Sequence, residues 1–330
     1  MRRFTTSLVA IVAAATLGLC GTNLAVAAPQ TPIPDYTPAK TGPANKDGIP
    51  RNGDGPATSF FPHANFYSIF NPGTNPQGAN DFSCTPKPGQ LPLILLAGTG
   101  EDAYKVWGEW APKFKALGYC VFTPNLNNAD GAESQAFTGD IIGSAEAFAT
   151  YVQMVLKATG AKKVDVIGHS QGAGMLPLAY IKWFDGNKYM NKLIGLCPGN
   201  HGTSGGGYYQ TGLGEKVDPL LKKKNMQGWT MQFNGNAFVE QLDANNIDFG
   251  DTQYIVVMTK YDEIITPYSS GIITNPKVKH VVMQDICAND YSDHIAFTYN
   301  PNAYQVSVNL MKDRPANYQV KCELVVPLIE

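Results

Sequence analysis

Residues 164–174 read Val-Asp-Val-Ile-Gly-His-Ser-Gln-Gly-Ala-Gly, a β-rich run that ends in the pattern Gly-x-Ser-x-Gly. This pattern is typical of a nucleophile elbow, a strained turn between a strand and a helix that presents a serine hydroxyl. Glycine suits positions 168 and 172, because a larger side chain there would collide with the neighbouring backbone. A short buried strand is indicated at 163–167, and helical spacing continues from 175 to 184. The stretch therefore predicts Ser170 as a nucleophile.

Short apolar runs alternate with helical stretches on both sides of this elbow. The strand-like runs are 91–96, 119–122, 163–167, 193–197, 254–258 and 279–283, and the helical stretches are 104–117, 141–159 and 172–184. Such alternation predicts an α/β fold with a mostly parallel sheet covered by helices on both faces. Residues 200–251 interrupt it with a glycine-rich loop and two helix-like pieces. This insertion is either a cap over the site or a plain surface excursion, and the sequence leaves both open.

The N-terminus has the pattern of an export signal. Two arginines precede an apolar run at 8–19, and Ala-Val-Ala at 25–27 supplies small residues for cleavage. We therefore expect a signal peptide over 1–27, cleaved after Ala27, and a secreted mature protein with no transmembrane segment. A lipoprotein anchored through Cys20 is disfavoured, because Leu19 stands where a small residue is needed. Residues 28–59 are rich in Pro and Gly and predict a loosely attached arm, and 60–330 predict one catalytic domain.

Charge and cysteine content narrow the class of protein. The formal net charge is −2 without a basic cluster, which argues against a nucleic-acid partner. Of six cysteines, cleavage removes Cys20 and leaves an odd number. Cys197, at the end of an apolar run, is the best candidate for the free thiol. The remaining four allow Cys84–Cys120 and Cys287–Cys322 among other pairings, and cysteine arithmetic does not decide between them.

A serine nucleophile needs a base, and the base needs an acid that holds its tautomer. After such an elbow, the acid and then the histidine follow in the chain. Of five histidines, His294 follows the last strand-like run, where an open α/β sheet presents its chemistry. We therefore expect His294 to be the base. His169, inside the elbow, is expected to point away from the reaction.

The acid is expected at the end of the preceding strand, where 254–258 leads into Thr-Lys-Tyr-Asp-Glu. Asp262 lies just past that strand and is the predicted acid, with Glu263 as the neighbouring alternative. Asp251 precedes the strand and faces the wrong end of the sheet. Asp293, next to His294, is expected to shape the histidine loop.

The oxyanion of a tetrahedral intermediate needs hydrogen-bond donors. One is expected from the backbone N–H of Gln171, the residue after the nucleophile. The other is expected from residues 96–100, Leu-Ala-Gly-Thr-Gly, where glycines allow close approach and the Thr99 hydroxyl adds a donor. The alternative for Gly98 and Gly100 is a tight turn without a catalytic role.

Seven stretches in order along the chain carry a family likeness. They are Asn-Phe-Tyr at 65–67, Asn-Asp-Phe-Ser-Cys at 80–84, Gly-Tyr-Cys-Val-Phe at 118–122, Gly-His-Ser-Gln-Gly at 168–172, Asn-His-Gly-Thr at 200–203, Thr-Lys-Tyr-Asp-Glu at 259–263 and Ser-Asp-His at 292–294. Together they resemble the secreted bacterial class 2 triacylglycerol lipases. The chain is more distantly similar to the fungal lipase B type, whose Gly-Thr-Gly oxyanion loop compares with residues 98–100.

The resemblance implies an α/β-hydrolase fold, no metal or organic cofactor, and hydrolysis of carboxylic esters, including those with longer acyl chains. It assigns the nucleophile to Ser170, the acid to Asp262, the base to His294 and the oxyanion role to Thr99 and Gln171. It also favours the disulfides Cys84–Cys120 and Cys287–Cys322 and leaves Cys197 free. Two positions depart from the family pattern: Ala97 stands where histidine is common, and Ala173 where glycine is usual.

The leading hypothesis is a secreted, monomeric esterase or lipase. Its substrate is a lipid or another ester, and one place where the protein could meet it is a lipid–water interface. A cell-envelope acyltransferase using the same triad is the alternative, and a non-catalytic binding protein or a peptidase is more remote. Aromatic side chains could line a lipid-binding mouth or belong to the core, and the sequence does not separate the two. They are Trp107, Trp110, Tyr208, Tyr209, Trp229 and Phe233.

Overall fold

The computed structural model describes residues 32–40 and 47–328. The expected signal peptide, its cleavage site after Ala27 and Cys20 lie outside the described residues. Within the two described stretches, no helix is long and apolar enough to cross a membrane.

A six-stranded sheet forms the centre of the domain, and all its neighbouring strands are parallel. The strands are β1 Leu93–Leu96, β2 Val121–Phe122, β3 Val164–His169, β4 Met190–Leu196, β5 Gln253–Met258 and β6 Val278–Val282, in the spatial order β2-β1-β3-β4-β5-β6. Each strand overlaps the apolar run predicted for it. Residues of β1 are fully buried, as expected for a parallel strand covered on both faces. The predicted α/β fold is confirmed.

Nine α-helices in the described part of the chain connect and flank these strands. They are α1 Phe61–Phe70, α2 Ala103–Trp107, α3 Trp110–Ala116, α4 Ile141–Thr159, α5 Met175–Trp183, α6 Leu213–Lys223, α7 Ala237–Leu242, α8 Met283–Ile286 and α9 Pro301–Met311. The single helix predicted at 104–117 is two helices in the structure. Pro112 has no N–H to bond with the carbonyl of Gly108, so the helical ladder breaks there. The helix predicted from 172 begins only at Met175, because residues 170–173 form a 3₁₀ turn.

The strand order determines where the site opens. From β1 the chain moves outward to β2 and then returns to β3 on the other side of β1. The loops after β1 and β3 therefore leave in opposite directions and open a crevice at the carboxyl end of the sheet. Thr99 lies in the first of these loops and Ser170 begins the second.

The N-terminal arm contacts the domain more closely than its composition indicates. The backbone N–H of Thr37 donates to Oδ2 of Asp140 at 3.1 Å, and that of Lys40 donates to Oδ1 of Asn127 at 3.0 Å. Asp140 also caps the first turn of α4. The described arm residues thus differ from the loose attachment expected, because backbone hydrogen bonds hold them and Tyr36 and Ile49 pack against the hydrophobic core.

The insertion at 200–251 folds back onto the loop that precedes α4. The backbone N–H of Gly228 donates to the carbonyl of Thr138 at 2.7 Å. The buried Asn225 amide donates to the carbonyl of Asn128 at 2.8 Å. These bonds anchor the middle of the insertion at the carboxyl end of the sheet.

The described residues form two disulfides, and these are the pairs that the family resemblance implies. Cys84–Cys120 ties the segment before β1 to the start of β2, with 5.7 Å between the Cα atoms. Cys287–Cys322 ties the C-terminal tail to the end of α8, with 5.4 Å between the Cα atoms. Cys197 is free and buried.

Candidate active site

Ser170 occupies a strained turn at the carboxyl end of β3. Its φ is +55°, in the left-handed region that residues other than glycine adopt only rarely. A Cβ atom on Gly168 would lie 1.8 Å from the carbonyl oxygen of Gly172, and one on Gly172 would lie 2.4 Å from that of Ala97. Both positions therefore require glycine, for the steric reason expected of the elbow.

His294 and Asp262 form a buried pair beside the elbow. Nδ1 of His294 lies 2.9 Å from Oδ2 of Asp262, and their side chains are 3% and 2% exposed. Asp262 lies in the loop after β5, four residues beyond Met258, and its Oδ1 accepts the backbone N–H groups of Ile264 and Ile265. With the carboxylate held in this way, Nδ1 carries the ring proton and Nε2 is the acceptor.

The neighbouring acids have different contacts with His294. Oε2 of Glu263 accepts the backbone N–H of His294 at 2.8 Å, so Glu263 holds the main chain while Asp262 holds the ring. Burial lowers the pKa of His294, but the charge and hydrogen bond of Asp262 and the charges of Glu101 and Glu263 outweigh it, so the pKa is raised. Asp293 accepts the N–H of Ala296 and shapes the loop, as expected.

Ser170 and His294, the predicted nucleophile and base, line one cavity of about 250 Å³. Its lining residues are Phe61, Asn65, Thr99, Gly100, Glu101, Lys105, His169, Ser170, Thr203, Trp229, Gln232, Phe233, Ile264, Ile265, His294 and Ile295. Of the aromatic residues considered above, Trp229 and Phe233 line it, whereas Trp107 and Trp110 are fully buried in the core. The insertion therefore contributes part of the cavity wall.

Thr99 is arranged as a hydrogen-bond donor to the cavity that it lines. Its Oγ1 accepts from Nε2 of Gln171 at 2.8 Å and from Nε2 of Gln232 at 2.7 Å. Each amide is oriented by a second hydrogen bond to a backbone carbonyl. Nε2 of Gln171 donates to the carbonyl of Phe137 at 3.0 Å, and Nε2 of Gln232 donates to that of Gly228 at 2.9 Å. A threonine hydroxyl has two acceptor sites and one proton. Because both acceptor sites are used, the proton is free to point at a ligand.

The backbone around the nucleophile is also open to a ligand. The N–H of Gln171 lies in the first turn of the 3₁₀ helix Ser170–Ala173, where a backbone donor has no partner within the helix. A Cβ atom on Gly98 would lie 2.8 Å from Cβ of Ser170. Glycine at 98 therefore lets the loop after β1 come close to the serine.

Comparisons with known proteins point to the same architecture. Residues 92–204, about a third of the chain, match the family model described as the alpha/beta hydrolase fold. The structure is similar to that of Aspergillus fumigatus lipase B, with a TM-score of 0.55 and 22% identity over 77% of this chain and 60% of that chain. It is also similar to mature Bacillus licheniformis lipase BlEst2, with a TM-score of 0.50 and 13% identity over 68% of this chain and 94% of that chain.

This chain has the α/β-hydrolase fold.

Within this hydrolase fold, His169 does not point away from the site as expected. Its ring lines the cavity and packs against the ring of His294, with 4.7 Å between the centroids. Its Nδ1 lies 3.1 Å from Oε2 of Glu101, a residue that sequence reasoning did not consider. The two residues are 68 positions apart in the sequence, so no local sequence pattern predicts their contact.

Gln232 is the second residue that sequence reasoning missed. It lies 133 residues from Thr99 in the sequence, inside the insertion. The only available signal was the insertion itself, placed between the nucleophile and the acid. The other histidines do not line the cavity; they are His63, His201 and His280.

One buried group near the base has the residue types of a metal site. Ligand atoms of Cys197, Asp262 and His294 all lie within 4.8 Å of one another. Burial, together with the charge and hydrogen bond of Asp262, raises the pKa of the Cys197 thiol well above its usual value. A thiol must lose its proton to bind a metal. Without a metal, the group is therefore a hydrogen-bonded Asp262–His294 pair with a protonated thiol behind it.

Proposed function

We propose that the protein is a secreted serine hydrolase of carboxylic esters, including acylglycerols, with Ser170, His294 and Asp262 as its triad. The observation that carries the proposal is the strained serine after β3 in one cavity with a histidine whose ring is held by a buried aspartate. The hydrolase fold supports it, since this fold presents such elbows.

In the first half of the reaction, Nε2 of His294 takes the Ser170 proton as Oγ bonds to the ester carbonyl carbon. The carbonyl π electrons move to oxygen, and the Thr99 hydroxyl and the Gln171 N–H stabilise the resulting oxyanion. Collapse breaks the bond to the alcohol oxygen. The alcohol takes the proton from His294 and leaves an acyl-enzyme.

Water then completes the cycle. His294 takes a proton from water as its oxygen attacks the acyl carbon, and the second oxyanion uses the same donors. Collapse returns the proton to Ser170 and releases the acid. Asp262 stays unprotonated and stabilises the imidazolium that forms in each half.

The apolar part of the cavity supports an acyl substrate. Phe61, Phe233, Ile265 and Ile295 line it, and Trp229 and Ile264 line it while remaining 42% and 46% exposed. An acyl chain would cover these side chains, and their exposure suits contact with a lipid surface. Secretion is supported by the N-terminal pattern and by two disulfides, which persist in oxidising compartments.

The first experiment replaces the nucleophile. Ser170→Ala is expected to abolish hydrolysis of p-nitrophenyl butyrate and labelling by an alkyl phosphonate, with an unchanged circular dichroism spectrum. Ser269→Ala, at an exposed serine outside the cavity, is the matched control and keeps full activity. Retained turnover in Ser170→Ala would overturn the assignment. Product analysis with and without a polyol acceptor separates hydrolysis from acyl transfer.

A further inference from the structure

One carboxylate oxygen connects three loops of the site. Oε2 of Glu101 lies 3.0 Å from the backbone N of Gly98 and 3.1 Å from Nδ1 of His169. On the other side of the same ring, Nε2 of His169 lies 3.0 Å from the carbonyl oxygen of His294. The connection runs from the loop after β1, through the elbow after β3, to the loop that carries the base. Glu101 is 9% exposed and His169 is 1% exposed.

Both ring nitrogens of His169 thus face oxygen acceptors. A neutral imidazole has one N–H and would leave one of these contacts without a proton. Burial raises the pKa of Glu101, but the charge and hydrogen bond of His169 and the charges of Lys105 and His294 outweigh it, so the pKa is lowered. With a carboxylate at Glu101, both contacts are hydrogen bonds when His169 is an imidazolium.

We propose that Glu101 and His169 form a buried ion pair that positions the base, holding the main chain of His294 and the oxyanion loop in register with Ser170. The inference rests on the proposed function for the roles of Ser170 and His294. His169 immediately precedes Ser170, so the backbone that presents the nucleophile also carries the ring that holds the base.

The physical need for such a connection follows from the fold. The nucleophile, the base and the oxyanion loop follow different strands, and a misplacement of about 1 Å between reacting groups can cost about a hundredfold in rate. A buried ion pair adds little net stability, and its better-attested use is to specify one arrangement. Other charges face the base as well. Asp262 and Glu263 face it from the loop after β5, and Lys105 lines the cavity from α2.

Two variants separate the charge from the shape of the pair. Glu101→Gln keeps the size and hydrogen-bonding capacity but removes the charge, and His169→Phe keeps a ring against His294 but removes both N–H groups. In both, we expect kcat for p-nitrophenyl butyrate to fall about tenfold to a hundredfold with KM within about threefold, because geometry rather than binding is lost. If both variants keep kcat within about threefold of the wild type, the positioning role is overturned.

Matched controls test whether any buried acid or bonded histidine gives the same loss. Glu109→Gln replaces a buried acid that pairs with Lys113 outside the cavity. His280→Phe replaces a β6 histidine that accepts the N–H of Ile273. Both controls are expected to keep the wild-type kcat. An equal fall in the controls would mean that the losses at Glu101 and His169 are not specific, which contradicts the proposal.

A second measurement detects the protonation of His169 directly and does not depend on enzyme activity. In ¹⁵N-histidine-labelled protein under the conditions of the activity assay, we expect His169 to show two protonated nitrogens, because each ring nitrogen faces an oxygen acceptor. Its signals disappear in His169→Phe and become those of a neutral ring in Glu101→Gln. A neutral His169 in the wild type would refute the ion pair even if a variant did not fold. The NMR measurement needs no turnover, so it tests the ion pair separately from the proposed function. A wild-type protein that does not hydrolyse esters would refute the proposed function but not the ion pair.

Discussion

Replacing Thr99 with valine tests the proposed role of its hydroxyl as an oxyanion donor. Thr99→Val is nearly isosteric and removes the one hydroxyl that two amides orient towards the cavity. A preorganised oxyanion donor contributes about 2.7–4 kcal/mol to transition-state stabilisation, so kcat is expected to fall about 10²- to 10³-fold. KM is expected to change little, because the bond forms mainly in the transition state.

The structure also bounds the loss of stability. Valine leaves Gln171 and Gln232 each with one hydrogen bond fewer, but each amide keeps its bond to a backbone carbonyl. At about 0.5–1.5 kcal/mol for each lost bond, the free energy of unfolding falls by about 1–3 kcal/mol. Domains are usually stable by about 5–15 kcal/mol, so the variant is expected to remain folded.

The assay compares p-nitrophenyl butyrate kinetics and thermal unfolding of Thr99→Val with those of Thr99→Ser, which keeps the hydroxyl. The serine variant should stay within about threefold of wild-type kcat. Gln232→Leu should lower kcat by about tenfold in the wild type and cause no further loss in Thr99→Val, since both changes act on one bond. The reasoning is refuted if Thr99→Val keeps wild-type kcat, or if the two losses simply add.

Three further expectations follow from the site. Glu263→Gln removes one of the charges that raise the pKa of His294, so that pKa should fall. Since a protonated base is inactive, the acidic limb of the kcat/KM profile should move to lower pH. A shift of that limb to higher pH would contradict the prediction. Gly172→Ala places a Cβ atom 2.4 Å from the carbonyl oxygen of Ala97. Activity should therefore be lost, and the free energy of unfolding should fall by about 1–3 kcal/mol. An unchanged melting temperature and unchanged turnover would contradict the elbow geometry. Dialysis against EDTA should leave esterase activity intact, because the proposed reaction of Ser170, His294 and Asp262 uses no metal; loss that zinc restores would show that a metal is needed.

The fold was largely predictable because its signals are local. Strands of a covered parallel sheet read as short apolar runs, and α4 has the predicted bounds between its Asp140 cap and Gly160. The break between α2 and α3 was missed, although Pro112 was visible in the sequence. The attachment of the N-terminal arm could not be predicted, because Thr37 and Lys40 bond to residues more than eighty positions away.

The sequence alone therefore determined the six strands of the sheet, the bounds of α4 and the candidate triad residues of the proposed mechanism. The elbow is a matter of local sterics around Gly168 and Gly172, and the order of serine, acid and histidine follows the strand ends. Only the tertiary structure decided how these residues are held. His169, Glu101 and Gln232 contact the site across 125, 68 and 133 residues of sequence. Such contacts depend on which loops the strand order brings together at one edge of the sheet. Local sequence patterns do not encode the strand order, so they cannot predict these contacts.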